Sequence, residues 1–185
     1  GGQMPRSAFG HLLGTQLAAC WALGILPRPD EDELAGIVIE PVLQGAGGML
    51  FYHPSFIKAL REWTSERGVH LIADEIAVGF GRTGTMFAYE QSKITPDIIC
   101  LSKGITGGYM TLSTILTTNS MYDAFYDEYT KLNAFLHSHS YTANPIACSA
   151  ANASLDIFEK GKTISKNKIL SDYISKSLGK ISQHQ

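Results

Sequence analysis

Short runs of aliphatic and β-branched residues, each ending on a residue with usable chemistry, recur along this chain at the spacing of a strand–helix–strand unit. Ile37-Val38-Ile39 runs into Glu40, Leu71-Ile72-Ala73 into Asp74, and Ile98-Ile99-Cys100-Leu101 through Ser102 into Lys103. Each run is too short for a helix and reads as a buried strand. His53-Pro54-Ser55 opens a helix between the first two, with Phe56, Ile57, Leu60 and Trp63 at helical spacing before Gly68 stops it. Alternating strands and helices predict an α/β fold with a mainly parallel sheet flanked by helices. The site of such a sheet lies at the carboxyl ends of its strands, where Glu40, Asp74 and Lys103 all fall.

Three further elements are expected downstream. Thr111 to Thr118 is rich in β-branched residues and reads as a strand. Asn144-Pro145 starts a helix with Ile146, Ala147, Ala150, Ala151, Leu155 and Phe158 toward the core. Ile164 to Ile181 is amphipathic, with Leu170, Ile174, Leu178 and Ile181 on one face. Residues 1–36 are the least readable part. Within them, Pro27-Arg28-Pro29 and the acidic run to Glu33 suggest a solvated loop or helix entry.

Composition narrows the function classes. A chain of 185 residues, 44% hydrophobic and 17% charged, is globular and has room for one domain. Its net charge of −2 gives no electrostatic case for nucleic acid or an anionic membrane, so the expected partners are small molecules or a second copy. Cys20, Cys100 and Cys148 lack metal-ligand spacing, and no metal is expected. An odd number of isolated thiols fits a reducing compartment, here the cytoplasm. No run reaches the roughly 18 apolar residues of a membrane span.

Lys103 carries the sharpest chemical hypothesis. It lies in Leu101-Ser102-Lys103-Gly104-Ile105-Thr106-Gly107-Gly108, which delivers an amine from a strand end into a glycine-rich loop. Desolvation there lowers an amine's pKa and makes it both a nucleophile for imine exchange and a base. Asp74 is either a turn cap or a carboxylate that sits on a pyridinium nitrogen. An amine and a carboxylate of this kind are the two groups that a pyridoxal phosphate (PLP) enzyme must supply. Asp74 and Glu75 point to opposite faces of a strand, so one of the two is structural. Ile76, on the same side as Asp74, is core or presses on a flat ring. Gly79-Phe80-Gly81-Arg82-Thr83-Gly84 matches the G-x-G-x-x-G of a dinucleotide turn but begins too far past its strand, so Arg82 is expected to pin an irregular loop instead. His137-Ser138-His139-Ser140-Tyr141-Thr142 reads as a capping turn or an anion site ahead of a helix.

These blocks together resemble the class III (fold type I) PLP-dependent aminotransferases, from about Gly36 to Glu159. Class-level signals are Leu71 to Ile76, Gly79 to Gly84 and the lysine loop. The run from Ile39 to Met49 with Tyr52-His53-Pro54, the run Thr106 to Ser113, and the block His137 to Leu155 are similar to the branch that serves biotin biosynthesis. The resemblance implies part of the large domain of a fold type I transferase, with residues 1–36 unassigned, 37–160 the PLP-binding section and 161–185 a C-terminal helical segment. It implies transfer of the amino group of S-adenosylmethionine to 8-amino-7-oxononanoate. Lys103 would hold PLP and contact substrate, Asp74 would pair with the ring nitrogen and Ile76 would stack on the ring. His139 and Ser140 would reach the phosphate across a homodimer interface, and Ser138 would line the substrate. Another class III ω-aminotransferase or a truncated inactive remnant are the alternatives. Ser138 and Ala143 stand where the family often has glycine. The family's upstream phosphate turn and downstream substrate arginine have no visible counterpart, so the chain is expected to be a central section that lacks activity without them.

Overall fold

The structure is a computed structural model that describes residues 34–45, 47–135 and 139–181. Strand β1 (Gly36–Ile39) leads into a small antiparallel pair, β2 (Leu43–Gln44) and β3 (Leu50–Phe51), and then helix α1 (Pro54–Glu66). β4 (His70–Asp74), β5 (Ile98–Leu101) and β6 (Thr114–Thr117) follow, then the short α2 (Asn119–Asp123), α3 (Pro145–Gly161) and α4 (Thr163–Ile181). The main sheet has the order β1-β4-β5-β6. β1 and β5 pair with β4 in parallel, while β6 runs antiparallel to β5 with Leu101 opposite Thr114. The strand expected over Thr111 to Thr118 is therefore four residues long and reversed in direction.

Helix α1 starts where the sequence indicates. His53 accepts the Ser55 amide at its Nδ1 and Pro54 occupies the first turn, where a missing N–H costs nothing. Of its apolar residues, Ile57 is fully buried against Ile39 and Leu71, while Leu60 packs at the edge of that cluster. Phe56 is more than half exposed and meets Tyr52 edge-on. Asp97, just ahead of β5, ties this layer together by accepting the Leu71 amide and an Arg61 N–H, each at 2.7 Å. Burial pushes the Asp97 carboxyl up, but these two donors outweigh it and hold the group below its ordinary range.

A second cluster forms on the same face of the sheet under α3, where Phe80, Leu101, Ile105 and Ala151 are buried together with part of Phe158. Right-handed connections between strands laid down in one direction cross the same face. Val38 and Ile115 on the other face remain exposed, at 53% and 65%. The buried stripe of α3 is narrower than expected. Ala147 and Ala151 are buried, but Ile146 and Leu155 are exposed. Leu170, Ile174 and Leu178 of α4 are likewise exposed. α4 meets the core at its start instead, where Ile164 and Asn167 lie against Gly81 and the Asn167 amide donates to the Gly81 carbonyl. The boundary expected after residue 160 falls inside α3, which runs to Gly161.

Candidate active site

β1, β4 and β5 are parallel, so the residues that follow them gather along one edge of the sheet. An open groove lined by Gly36, His70, Ile72, Ile98 and Phe125 lies at the opposite ends of these strands, away from that edge. Asp74, the last residue of β4, is buried to 6% exposure, and its Oδ1 accepts the Ile76 amide at 3.0 Å. The turn-capping role is therefore present, and the same bond orients the carboxylate. Ile76 follows directly and is partly buried.

Glu75 is the structural member of the pair. It is fully buried, and its two carboxylate oxygens accept the Ala88 amide at 2.9 Å and the Tyr89 amide at 2.8 Å. One side chain thereby closes the loop that leaves β4. Burial raises the Glu75 carboxyl above its ordinary range, the two amide donors pull it back, and the charges of Glu90 and Asp74 add to the rise.

Lys103 opens a 3₁₀ turn, Lys103–Thr106, directly beyond β5. Its backbone is in the left-handed region, with φ of 41°, which is uncommon for a side-chain-bearing residue and concentrates at functional positions. The described residues leave Lys103 exposed, so the enclosure expected around the amine is not built by them: Gly107 to Met110, which follow, are exposed as well. The turn is held from below. Thr106 donates its hydroxyl to the Met110 carbonyl at 2.6 Å, and a Cβ placed on Gly104 would lie 2.8 Å from Phe80 Cβ and 2.9 Å from its Cδ2. The loop after Asp74 thus interlocks with the loop of Lys103. Gly104→Ala must displace Phe80 from its packing against Phe87 and Phe158. A loss of about 1–3 kcal/mol is expected from overpacking, read as a lower urea midpoint. A midpoint equal to the wild type would mean that Phe80 yields freely.

The glycine motif after Asp74 has a packing explanation. A Cβ on Gly79 would lie 2.7 Å from the Glu75 carbonyl oxygen, and one on Gly81 would lie 2.8 Å from Ile164. Gly81 and Gly84 also have φ of 84° and 105°, which favour glycine. Arg82 does not pin this loop: it is exposed and makes no hydrogen bond or ion pair among the described residues. Thr85 and Gln91 hold it, through bonds to the carbonyls of Phe87 and Thr83. In the segment ahead of α3, Ser138 and His137 lie outside the described residues. His139 accepts the Tyr141 amide at Nδ1 and donates its own amide to Thr142, while Ser140 is exposed in the same turn. Asn144, not a serine or threonine, caps α3. Ala143 has φ of 56°, a left-handed conformation that glycine adopts more easily than alanine.

Glu40 lies beyond β1 and is buried, with its Oε2 lacking a partner among the described residues, as does the hydroxyl of Tyr52. Burial, then the charges of Glu40 and Glu75, push the Tyr52 phenol far above its ordinary range. Among the described residues no group of three or more His, Cys, Asp or Glu is arranged to hold a metal ion, and no helix is long and apolar enough to cross a membrane.

An amine and a buried carboxylate thus lie at the carboxyl ends of adjacent parallel strands, the two groups that a PLP enzyme must supply. The chain belongs to the class-III aminotransferases, whose family model matches residues 16–185 and so begins upstream of the expected Gly36. The family is PLP-dependent. Among curated relatives, the adenosylmethionine-8-amino-7-oxononanoate aminotransferase of Helicobacter pylori is 53% identical over 157 residues, covering 85% of this chain and 36% of the relative. That of Geobacter sulfurreducens is 52% identical over 139 residues, covering 74% and 31%. A solved structure of the enzyme of this name from Methanocaldococcus jannaschii superposes with a TM-score of 0.68 at 40% identity, covering 71% of this chain and 31% of that one. The chain thus spans about a third of the length of the relatives it matches. The donor set fits PLP: a buried carboxylate suits a protonated ring nitrogen, and an exposed amine on a held turn suits the aldehyde.

Proposed function

We propose that this chain is the cofactor-binding section, centred on residues 37–160, of a cytoplasmic aminotransferase that moves the amino group of S-adenosylmethionine to 8-amino-7-oxononanoate. The observation that carries this reading is the placement of buried Asp74 at the end of β4 and of Lys103 just beyond the end of the adjacent parallel β5. Bound PLP would supply a ring that accepts the electrons released when a substrate C–H bond loses its proton. Lys103 would carry the cofactor and move that proton with its amine, and Asp74 would keep the ring nitrogen protonated. Ile76 would bear on the ring face. His139 and Ser140 are exposed and would meet the phosphate of a second copy in a homodimer, with Ser138 beside the substrate.

The test is chemical trapping. PLP added to the chain should give a visible absorbance band, and borohydride reduction should leave the pyridoxyl group on the peptide that contains Lys103. Label on Lys93 or Lys131 would overturn the assignment.

A further inference from the structure

Lys103 holds a backbone conformation, with φ of 41°, that a side-chain-bearing residue leaves when it is free to do so. Its two flanks are restrained by different means. On the far side Gly104 lies against Phe80, and its carbonyl accepts the Gly107 amide at 3.0 Å and the Ser154 hydroxyl at 3.4 Å. On the near side the restraint comes from Ser102. This residue precedes the 3₁₀ turn, yet its hydroxyl caps no amide of that turn. It donates instead to the Leu112 carbonyl at 2.7 Å, while the Ser102 carbonyl accepts the Ile105 amide at 3.1 Å. Leu112 is itself anchored, since it packs against the Phe80–Ala151 cluster and lies just ahead of Thr114, the ladder partner of Leu101. The Ser102 hydroxyl therefore closes the loop at the point where Lys103 enters it.

We propose that Ser102 is a positioning residue for Lys103: by tying the end of β5 to Leu112 it keeps the lysine backbone left-handed, and so sets the direction from which the amine meets the cofactor's aldehyde. Relaxing φ from 41° to the right-handed value of about −63° would turn the lysine side chain by roughly 100° about its N–Cα bond. Serine suits this position because it is short and uncharged, and holds a carbonyl without pairing with the neighbouring amine. The inference rests on the PLP reading of Lys103, but its first test does not.

That first test is hydrogen exchange of the Ile105 amide in the full chain without cofactor. Ser102→Ala should exchange about fivefold faster, the factor that one ordinary hydrogen bond is worth, and Ser102→Thr, which keeps the hydroxyl, should exchange at the wild-type rate. The second test compares two forms of the cofactor. The Lys103 amine joins the aldehyde of PLP with loss of one water, whereas pyridoxamine phosphate carries an amine in place of the aldehyde and is held without that bond. Ser102→Ala should therefore bind PLP about fivefold more weakly but pyridoxamine phosphate as tightly as the wild type does, with Ser102→Thr unchanged for both. A general loosening of the site would weaken both forms alike. Ile105 exchange indifferent to the hydroxyl, unchanged PLP affinity in Ser102→Ala, or equal losses for the two cofactor forms overturns the proposal. A wild-type chain that binds no PLP overturns the functional reading and the cofactor half of this one, while the exchange rates still report whether Ser102 holds the turn.

Discussion

Asp74→Asn is expected to slow each half-reaction of the active enzyme by several orders of magnitude while leaving cofactor binding partly intact. Asparagine keeps the shape of the side chain, and its Oδ1 can still accept the Ile76 amide. What it removes is a negative charge held in a site of 6% exposure, where solvent does little to screen it. Preorganised electrostatic contributions of this kind are worth roughly 3–5 kcal/mol. Single-turnover rates with S-adenosylmethionine and with 8-amino-7-oxononanoate are the measurement. A variant within about tenfold of the wild type, or 1.4 kcal/mol, would remove Asp74 from its proposed role.

Glu75→Ala is expected to cost about 3 kcal/mol or more, enough to unfold a marginal domain. It strands the buried Ala88 amide and the Tyr89 amide without acceptors, each worth about 1–3 kcal/mol, and leaves a cavity where a fully buried side chain stood. A pH dependence accompanies this loss. Because the Glu75 carboxyl is raised in the folded state, the folded chain binds the proton more tightly than the unfolded chain. Its contribution to stability is therefore fullest below the unfolded value and falls as pH rises through the folded one. Urea midpoints across the acidic range should show that decline in the wild type and lose it in Glu75→Ala. A flat wild-type profile would show that the Glu75 carboxyl is not raised in the folded state, and a variant as stable as the wild type would show that the two amides find other acceptors.

Legibility in the sequence follows the range of the interactions involved. The strands at Gly36–Ile39, His70–Asp74 and Ile98–Leu101 and the helix from Pro54 were legible, because apolar runs, proline and a capping residue act over a few positions. The candidate residues at their ends were legible for the same reason, since a parallel sheet puts its chemistry there. Glu75 could be recognised as one of a pair with a structural member, but its partners lie 13 and 14 residues away, at the start of a short 3₁₀ helix, Ala88–Ser92. The glycine motif was set apart from a dinucleotide turn by its distance from the strand, and its glycines meet close packing and positive φ instead. That Gly81 meets Ile164 and that Gly104 meets Phe80 depends on elements far apart in the chain.

The sequence by itself therefore determined the alternation of elements and the placement of Asp74 and Lys103 at or just beyond strand ends. Only the tertiary structure decided the reversed direction of β6, the exposure of Ile146 and Leu155 on α3, the open setting of Lys103, and the bond from Ser102 to Leu112. A local pattern states which residues share a face. Strand direction, and whether that face is covered, are set by hydrogen bonds and packing against neighbours that the pattern does not contain.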